Sequence, residues 1–73
     1  MNEDILQHFL DKVEKDKVYE IKEVATILEI GTGVVYNLVA EGALAGFRFR
    51  GRWKISGAAL RSYVRESFMA GAR

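Results

Sequence analysis

The fold is decided in residues 21–42, "IKEVATILEIGTGVVYNLVAEG". In its first half Ile21, Val24, Ala25, Ile27 and Leu28 recur at the spacing of one helix face, which predicts a helix ending near Glu29. "EIGTG" (29–33) follows as a turn, because Gly31 and Gly33 are poor residues for a helix interior. A second helix is predicted from about Thr32 to Glu41, with Val35, Leu38 and Val39 inward. Gly42 stands where a left-handed residue closes a helix. Ile30 and Val35 have the spacing of a hydrophobic staple around Gly31. Small Ala25 lets the two helices approach closely.

Two helices joined by a tight glycine turn describe a helix-turn-helix. Upstream, Ile5, Leu6, Phe9, Leu10 and Val13 form the apolar face of an N-terminal amphipathic helix, with Asn2 as its expected N-cap and Glu3 and Asp4 in its first turn. The charged run "DKVEKDK" (11–17) loosens that helix near residues 14–17, and "VYEI" (18–21) is a short extended entry. Downstream, "GFRFRGRWKIS" (46–56) alternates Phe47, Phe49, Trp53 and Ile55 with Arg48, Arg50, Arg52 and Lys54 and reads as a β-hairpin.

All four apolar side chains share a face only if Phe49 lies opposite Trp53 and Phe47 opposite Ile55. That register predicts a three-residue loop, Arg50-Gly51-Arg52. It also sets Arg48 across from Lys54, an opposition of like charges that an anion lying over the wing would relieve. Ser56 is expected to cap a last helix that buries Leu60, Tyr63, Val64 and Phe68, and "AGAR" (70–73) to fray. The fold class is therefore mainly α with a small β-hairpin: a winged helix-turn-helix of about four helices plus a two-stranded wing. Residues 1–18 form the N-terminal helix, 19–69 the winged domain and 70–73 the tail.

Composition limits what such a chain does. Seventy-three residues make one small domain, without room for a cleft between domains. There is no cysteine, so disulfides and thiolate metal sites are excluded, and a chain this small relies on packing or oligomerisation. The longest uncharged runs, such as "IGTGVVYNLVA" (30–40), are too short and too polar to span a bilayer. The acidic "MNEDILQ" is wrong for a signal or transit peptide, so a cytoplasmic, bacterial-type protein is expected. The net charge of +1 hides an asymmetry. Residues 1–30 carry four lysines against eight acids, net −4, whereas residues 31–73 carry seven cations against Glu41 and Glu66, net +5. Such separation suggests one side that faces a polyanion.

From Tyr19 to Glu66 the chain resembles the excisionase-like, MerR-like winged helix-turn-helix family. "EVATIL", "VVYNLVAEGAL", the "FRFRGRWKI" wing and "SGAALRSYV" carry the resemblance, in order and at family spacing. It implies a DNA-binding module of the kind found in excision factors and small transcription regulators, with the helix after the turn in the major groove and the wing on backbone or minor groove. There are departures. Glu29 replaces the usual turn glycine, and Gly31, Thr32, Gly33 and Val34 replace a capping Ser, an Arg and a Ser/Thr pair. Asn37 replaces a frequent Arg, and Ala45 a usual Pro.

Mapped onto the motif, Thr32, Gly33, Tyr36, Asn37 and Ala40 face outward. Asn37 is the good base-edge reader, with adenine its natural partner. Tyr36 can bond a phosphate through its hydroxyl, and Gly31 and Gly33 can offer backbone N–H groups to one. Arg48, Arg50, Arg52 and Lys54 are expected to clamp phosphates, with a log K versus log salt slope near about −3 to −4 if each meets one. Arg61 and Arg65, one turn apart on the last helix, are candidate extensions of that patch or ordinary solvated residues. The expected partner is double-stranded DNA, with no cofactor, no metal, no membrane and no small-molecule substrate. An integrase or recombinase, or a second copy, is a further candidate.

A reading from another class is a protein-interaction module on a helix-turn-helix scaffold with weakened DNA reading. The first helix then either covers the domain's own core or forms a dimer through Phe9 and Leu10. Head-to-tail docking of acidic half on basic half is a third form of it. Catalysis finds no support: His8 sits beside an apolar stripe, and no nucleophile, base and orienting group cluster.

Overall fold

The computed structural model describes residues 3–71. The chain runs α1 (Glu3–Leu10), β1 (Val18–Glu20), α2 (Ile21–Leu28), α3 (Thr32–Ala40), β2 (Phe47–Phe49), β3 (Arg52–Ser56) and α4 (Gly57–Gly71). This is a winged helix-turn-helix, in which the extended entry adds a third strand to the hairpin. The sheet order is β1-β3-β2, antiparallel throughout. Among the described residues no single helix is long and apolar enough to cross a membrane.

The two helices of the motif meet at 110°. Both close in the same way. After α2, Ile30 N–H donates to Ala25 O and Glu29 N–H to Thr26 O; after α3, Ala43 N–H donates to Leu38 O and Gly42 N–H to Val39 O. Each closure needs a left-handed residue, and the positions are held by Glu29 (φ 61°) and Gly42 (φ 80°). Val24 and Val35, both fully buried, seal the angle between the helices, and Ile30 packs on the same core as the staple spacing predicts.

One core gathers Leu10, Val13, Tyr19, Ile21, Val24, Ala25, Val35, Leu44, Ile55, Leu60 and Val64. Leu44, Ile55 and Leu60 are its largest fully buried side chains, each contributing roughly 1.5–3 kcal/mol of burial. α1 lies against α4, and it stops at Leu10, earlier than the apolar spacing through Val13 implies. Val13 still reaches the core because Lys12 and Val13 turn on tight bonds to Phe9 O and Leu10 O. Asn2, the expected cap of α1, lies outside the described residues. At the other end α4 continues regularly through Ala70 to Gly71, where fraying was expected. Its start is capped as expected, with Ala59 N–H donating to Ser56 Oγ at 3.1 Å.

The hairpin register corrects the expectation. Phe47 pairs with Lys54, Arg48 with Trp53 and Phe49 with Arg52, around a two-residue Arg50-Gly51 turn instead of a three-residue loop. Both turn residues have positive φ (55° and 81°), the signature of the type I′ turn whose twist suits a hairpin. Opposed residues share a face, so the four apolar side chains are divided. Trp53 and Ile55 point to the core, with Ile55 opposite buried Tyr19, whereas Phe47 and Phe49 stand on the outer face, 45% and 57% exposed. Arg48 and Lys54 consequently do not oppose each other.

Candidate nucleic-acid interface

Between α3 and the inner side of the hairpin lies an open cleft of about 580 Å³. Its walls are Thr32 and Tyr36 of α3, Arg48, Gly51, Arg52 and Trp53 of the hairpin, and Glu20, Ile21 and Lys22 where β1 enters α2. Gly46 makes the hairpin's approach possible. A side chain there would meet Val39 and Lys54 O at 3.3 Å and the Trp53 ring at 3.5 Å. Trp53 thereby packs on the core and serves as the wing's anchor.

The outer face of α3 presents Thr32, Gly33, Tyr36, Asn37 and Ala40 to solvent, with Tyr36 51% exposed. Thr32 and Tyr36 reach the cleft; Gly33 and Asn37 lie on the same exposed surface outside it. Gly31 begins α3 in an extended conformation, and the positive end of the helix carries no side-chain cap. Gly33 does not serve the fold: it lacks a positive φ, and an added Cβ would meet nothing within 4 Å.

The cations are not equivalent. Arg48 lies over the Trp53 ring, 5.5 Å from its centroid, and donates from Nη2 to Gly51 O at 3.3 Å, which holds its guanidinium at the cleft. Arg50 and Arg52 sit at and beside the turn, both exposed. Lys54 is on the opposite face, where its ammonium donates to Glu20 Oε2 at 2.8 Å. That bond, then the charges of Lys54 and Arg52, hold the Glu20 carboxyl below its ordinary value. Arg61 donates from Nη1 to Leu10 O and Val13 O at 2.8 and 3.0 Å, fastening the end of α1 to α4. Arg65 lies exposed on α4 beside Glu66 and Met69, away from the cleft.

Two cleft residues escape sequence reasoning. Lys22 is one of four lysines in the acid-rich half and gains meaning only from its position at the start of α2. Glu20 follows no Ser/Thr capping pattern, yet it stands at the N-cap of α2, its N–H donating to Glu23 Oε1 at 3.0 Å. Among the described residues no cluster of three or more His, Asp or Glu could hold a metal ion.

A helix-turn-helix with a basic hairpin folded beside its second helix defines a class of DNA-binding fold. A family model described as a helix-turn-helix domain matches residues 18–67. The chain belongs to that excisionase-like helix-turn-helix family. No curated protein matches it, and no solved structure does.

Proposed function

We propose that the protein binds duplex DNA through the cleft, as a recombination accessory factor or a small transcription regulator. The observation that carries this is the meeting of the α3 face with Arg48, Arg52 and Lys22 around one open cleft. α3 enters the major groove with Tyr36, Asn37 and Thr32. Asn37 reads a base edge, adenine by preference, and Tyr36 reaches a phosphate. Arg48, Arg50 and Arg52, joined by Lys22, hold flanking phosphates.

Gly33 supports the same reading. A glycine that the fold does not need is useful where DNA backbone approaches helix backbone closely. With one base-edge reader among several cations, phosphate contacts supply most of the affinity, and phosphate contacts position without specifying. The protein grips more than it reads.

The test is an NMR titration with a random-sequence duplex, comparing the wild type with Arg50→Ala/Arg52→Ala. Shifts are expected in α3, the hairpin and residues 20–22, and weaker binding in the variant. With Lys54 bonded to Glu20, three wing cations and Lys22 remain, and four phosphate contacts give a slope of log K on log salt near about −3.6. Shifts confined to α1 and α4, or a flat salt response, would rule the proposal out.

A further inference from the structure

The outer face of the hairpin carries two aromatic rings that take no part in the cleft. Phe47 and Phe49 stand there two residues apart on edge strand β2, and neither lines the cleft. Directly opposed residues share a face, so the neighbours of the pair on that face are Lys54 and Arg52, with Arg50 beyond Phe49 at the turn. The rings are bordered by cations, with no further apolar surface across the hairpin. Two half-exposed rings offer far less than the roughly 1,200 Å² that a specific protein complex buries, so a protein partner has too little to hold.

Their spacing selects a different occupant. Alternate residues of an antiparallel strand lie about 6.8 Å apart. A duplex strand rises only about 3.4 Å per nucleotide and covers its base faces by stacking, so an intact duplex offers neither ring a base face. A single strand can splay its bases and present successive faces to both rings. The charges suit a polyanion. No Asp or Glu occurs between Glu41 and Glu66, and Glu20, the carboxylate on this face of the sheet, is already bonded to Lys54 at 2.8 Å. Arg48, Arg52 and Lys22 stay with the cleft they line. Arg50, exposed at the tip and not part of the cleft lining, is the one cation that both faces share.

We infer that the outer wing face is a second nucleic-acid site, which stacks two successive unpaired bases of single-stranded DNA on Phe47 and Phe49 and holds a neighbouring phosphate with Arg50. Every base has a π-face, so the site is tolerant of sequence. The choice of DNA over RNA rests on the duplex reading of the cleft; the stacking does not. Because the rings point away from the cleft, a strand lying on them leaves the face of α3 unobstructed.

The test titrates the labelled full chain with a short oligothymidylate, an abasic strand of the same length and an oligouridylate, followed by NMR. Oligothymidylate should shift Phe47, Phe49, Arg50 and Lys54 amides, and the ring currents should move thymine protons upfield. The abasic strand keeps the phosphates without the bases and should bind at least about fivefold more weakly. Phe47→Leu/Phe49→Leu keeps apolar bulk but removes both π-faces, and should lose that advantage; Phe47→Tyr/Phe49→Tyr should keep it. Circular dichroism checks that both variants fold. The Leu variant should still bind duplex through α3 and the cleft. A wild type that ignores duplex yet binds oligothymidylate on β2 supports this inference and refutes the cleft reading alone. No binding of oligothymidylate, shifts confined to α3 and the cleft, equal binding of the abasic strand, an unaffected Leu variant, or tighter binding of oligouridylate overturns it.

Discussion

Arg48 and Trp53 face each other directly across the hairpin, and the Arg48 guanidinium rests 5.5 Å from the centre of the indole ring. The indole thus has two jobs, one edge in the core and one face under a cation at the cleft. Losing that face frees Arg48 to sample positions away from the phosphates. An exposed cation–π contact is worth about 0.5–1 kcal/mol, so Trp53→Leu should weaken duplex binding about twofold to fivefold. Fluorescence anisotropy with a labelled duplex measures it, and Arg48→Ala should lose at least as much. Equal affinity in all three proteins would remove Arg48 from the interface.

Arg61 should behave as a scaffold residue. Its two bonds reach Leu10 O at the end of α1, where a cation also suits the helix dipole, and Val13 O in the turn beyond it. Charged hydrogen bonds contribute about 1.5–3 kcal/mol, and Arg61→Ala should lose stability of that order in urea unfolding. Duplex affinity and its salt slope should not change while the variant is folded. A reduced slope would return Arg61 to the phosphate-contacting set.

Gly57 is fixed by close approach. A Cβ at this position would lie 1.8 Å from Glu14 O and 2.7 Å from Glu14 C, atoms of a backbone that cannot swing aside. Its N–H donates to Lys17 O at 2.7 Å, tying the start of α4 to the 14–17 loop. Gly57→Ala should therefore destabilise by more than the roughly 3 kcal/mol that bounds most single substitutions. Thermal unfolding followed by circular dichroism checks this, with Gly33→Ala, where space is open, as the stabilised contrast.

Glu29 occupies a left-handed position that glycine adopts without steric cost. Glu29→Gly should raise stability by about 1 kcal/mol. It also removes an exposed ion pair to Lys12 at 3.7 Å, a contact worth little. A parallel Lys12→Ala variant measures that loss separately. A less stable Glu29→Gly protein, with Lys12→Ala neutral, would contradict the strain.

Glu20 makes stability depend on pH in a defined direction. Its carboxyl is held below the ordinary value of 4.5 by the Lys54 bond in the folded chain. The unfolded state therefore takes up a proton first as pH falls. The stability from Glu20 is fully present above about pH 4.5 and is lost as pH drops through the lowered folded value. Glu20→Gln should be less stable than the wild type near neutral pH, with the two converging in acid and with added salt. Parallel unfolding curves across pH would contradict it.

Much of this fold is legible in residues 21–42 and their flanks. Helix faces, the Gly42 closure and the Ser56 cap are local matters, set by periodicity and by which residues tolerate a given φ or offer a side-chain oxygen. The α3 surface followed directly, since a helix that buries Val35 must turn Thr32, Tyr36 and Asn37 outward. The wing was harder. Its alternating pattern fits either parity, and the rule that apolar residues share a face chose the wrong one. Arginine is an uncommon occupant of the first left-handed position of a type I′ turn, so Arg50-Gly51 gave little warning of a two-residue loop.

The sequence by itself determined the helices, their order, the hairpin and the charge split, because these depend on residues within a few positions of one another. Tertiary structure alone decided the partners. Lys54 meets Glu20 because β1 lies beside β3, Arg61 meets the end of α1 because α4 returns across it, and Gly57 meets Glu14 where the loop passes over the helix start. Those contacts join segments more than thirty residues apart. They decide which cations remain free for a polyanion.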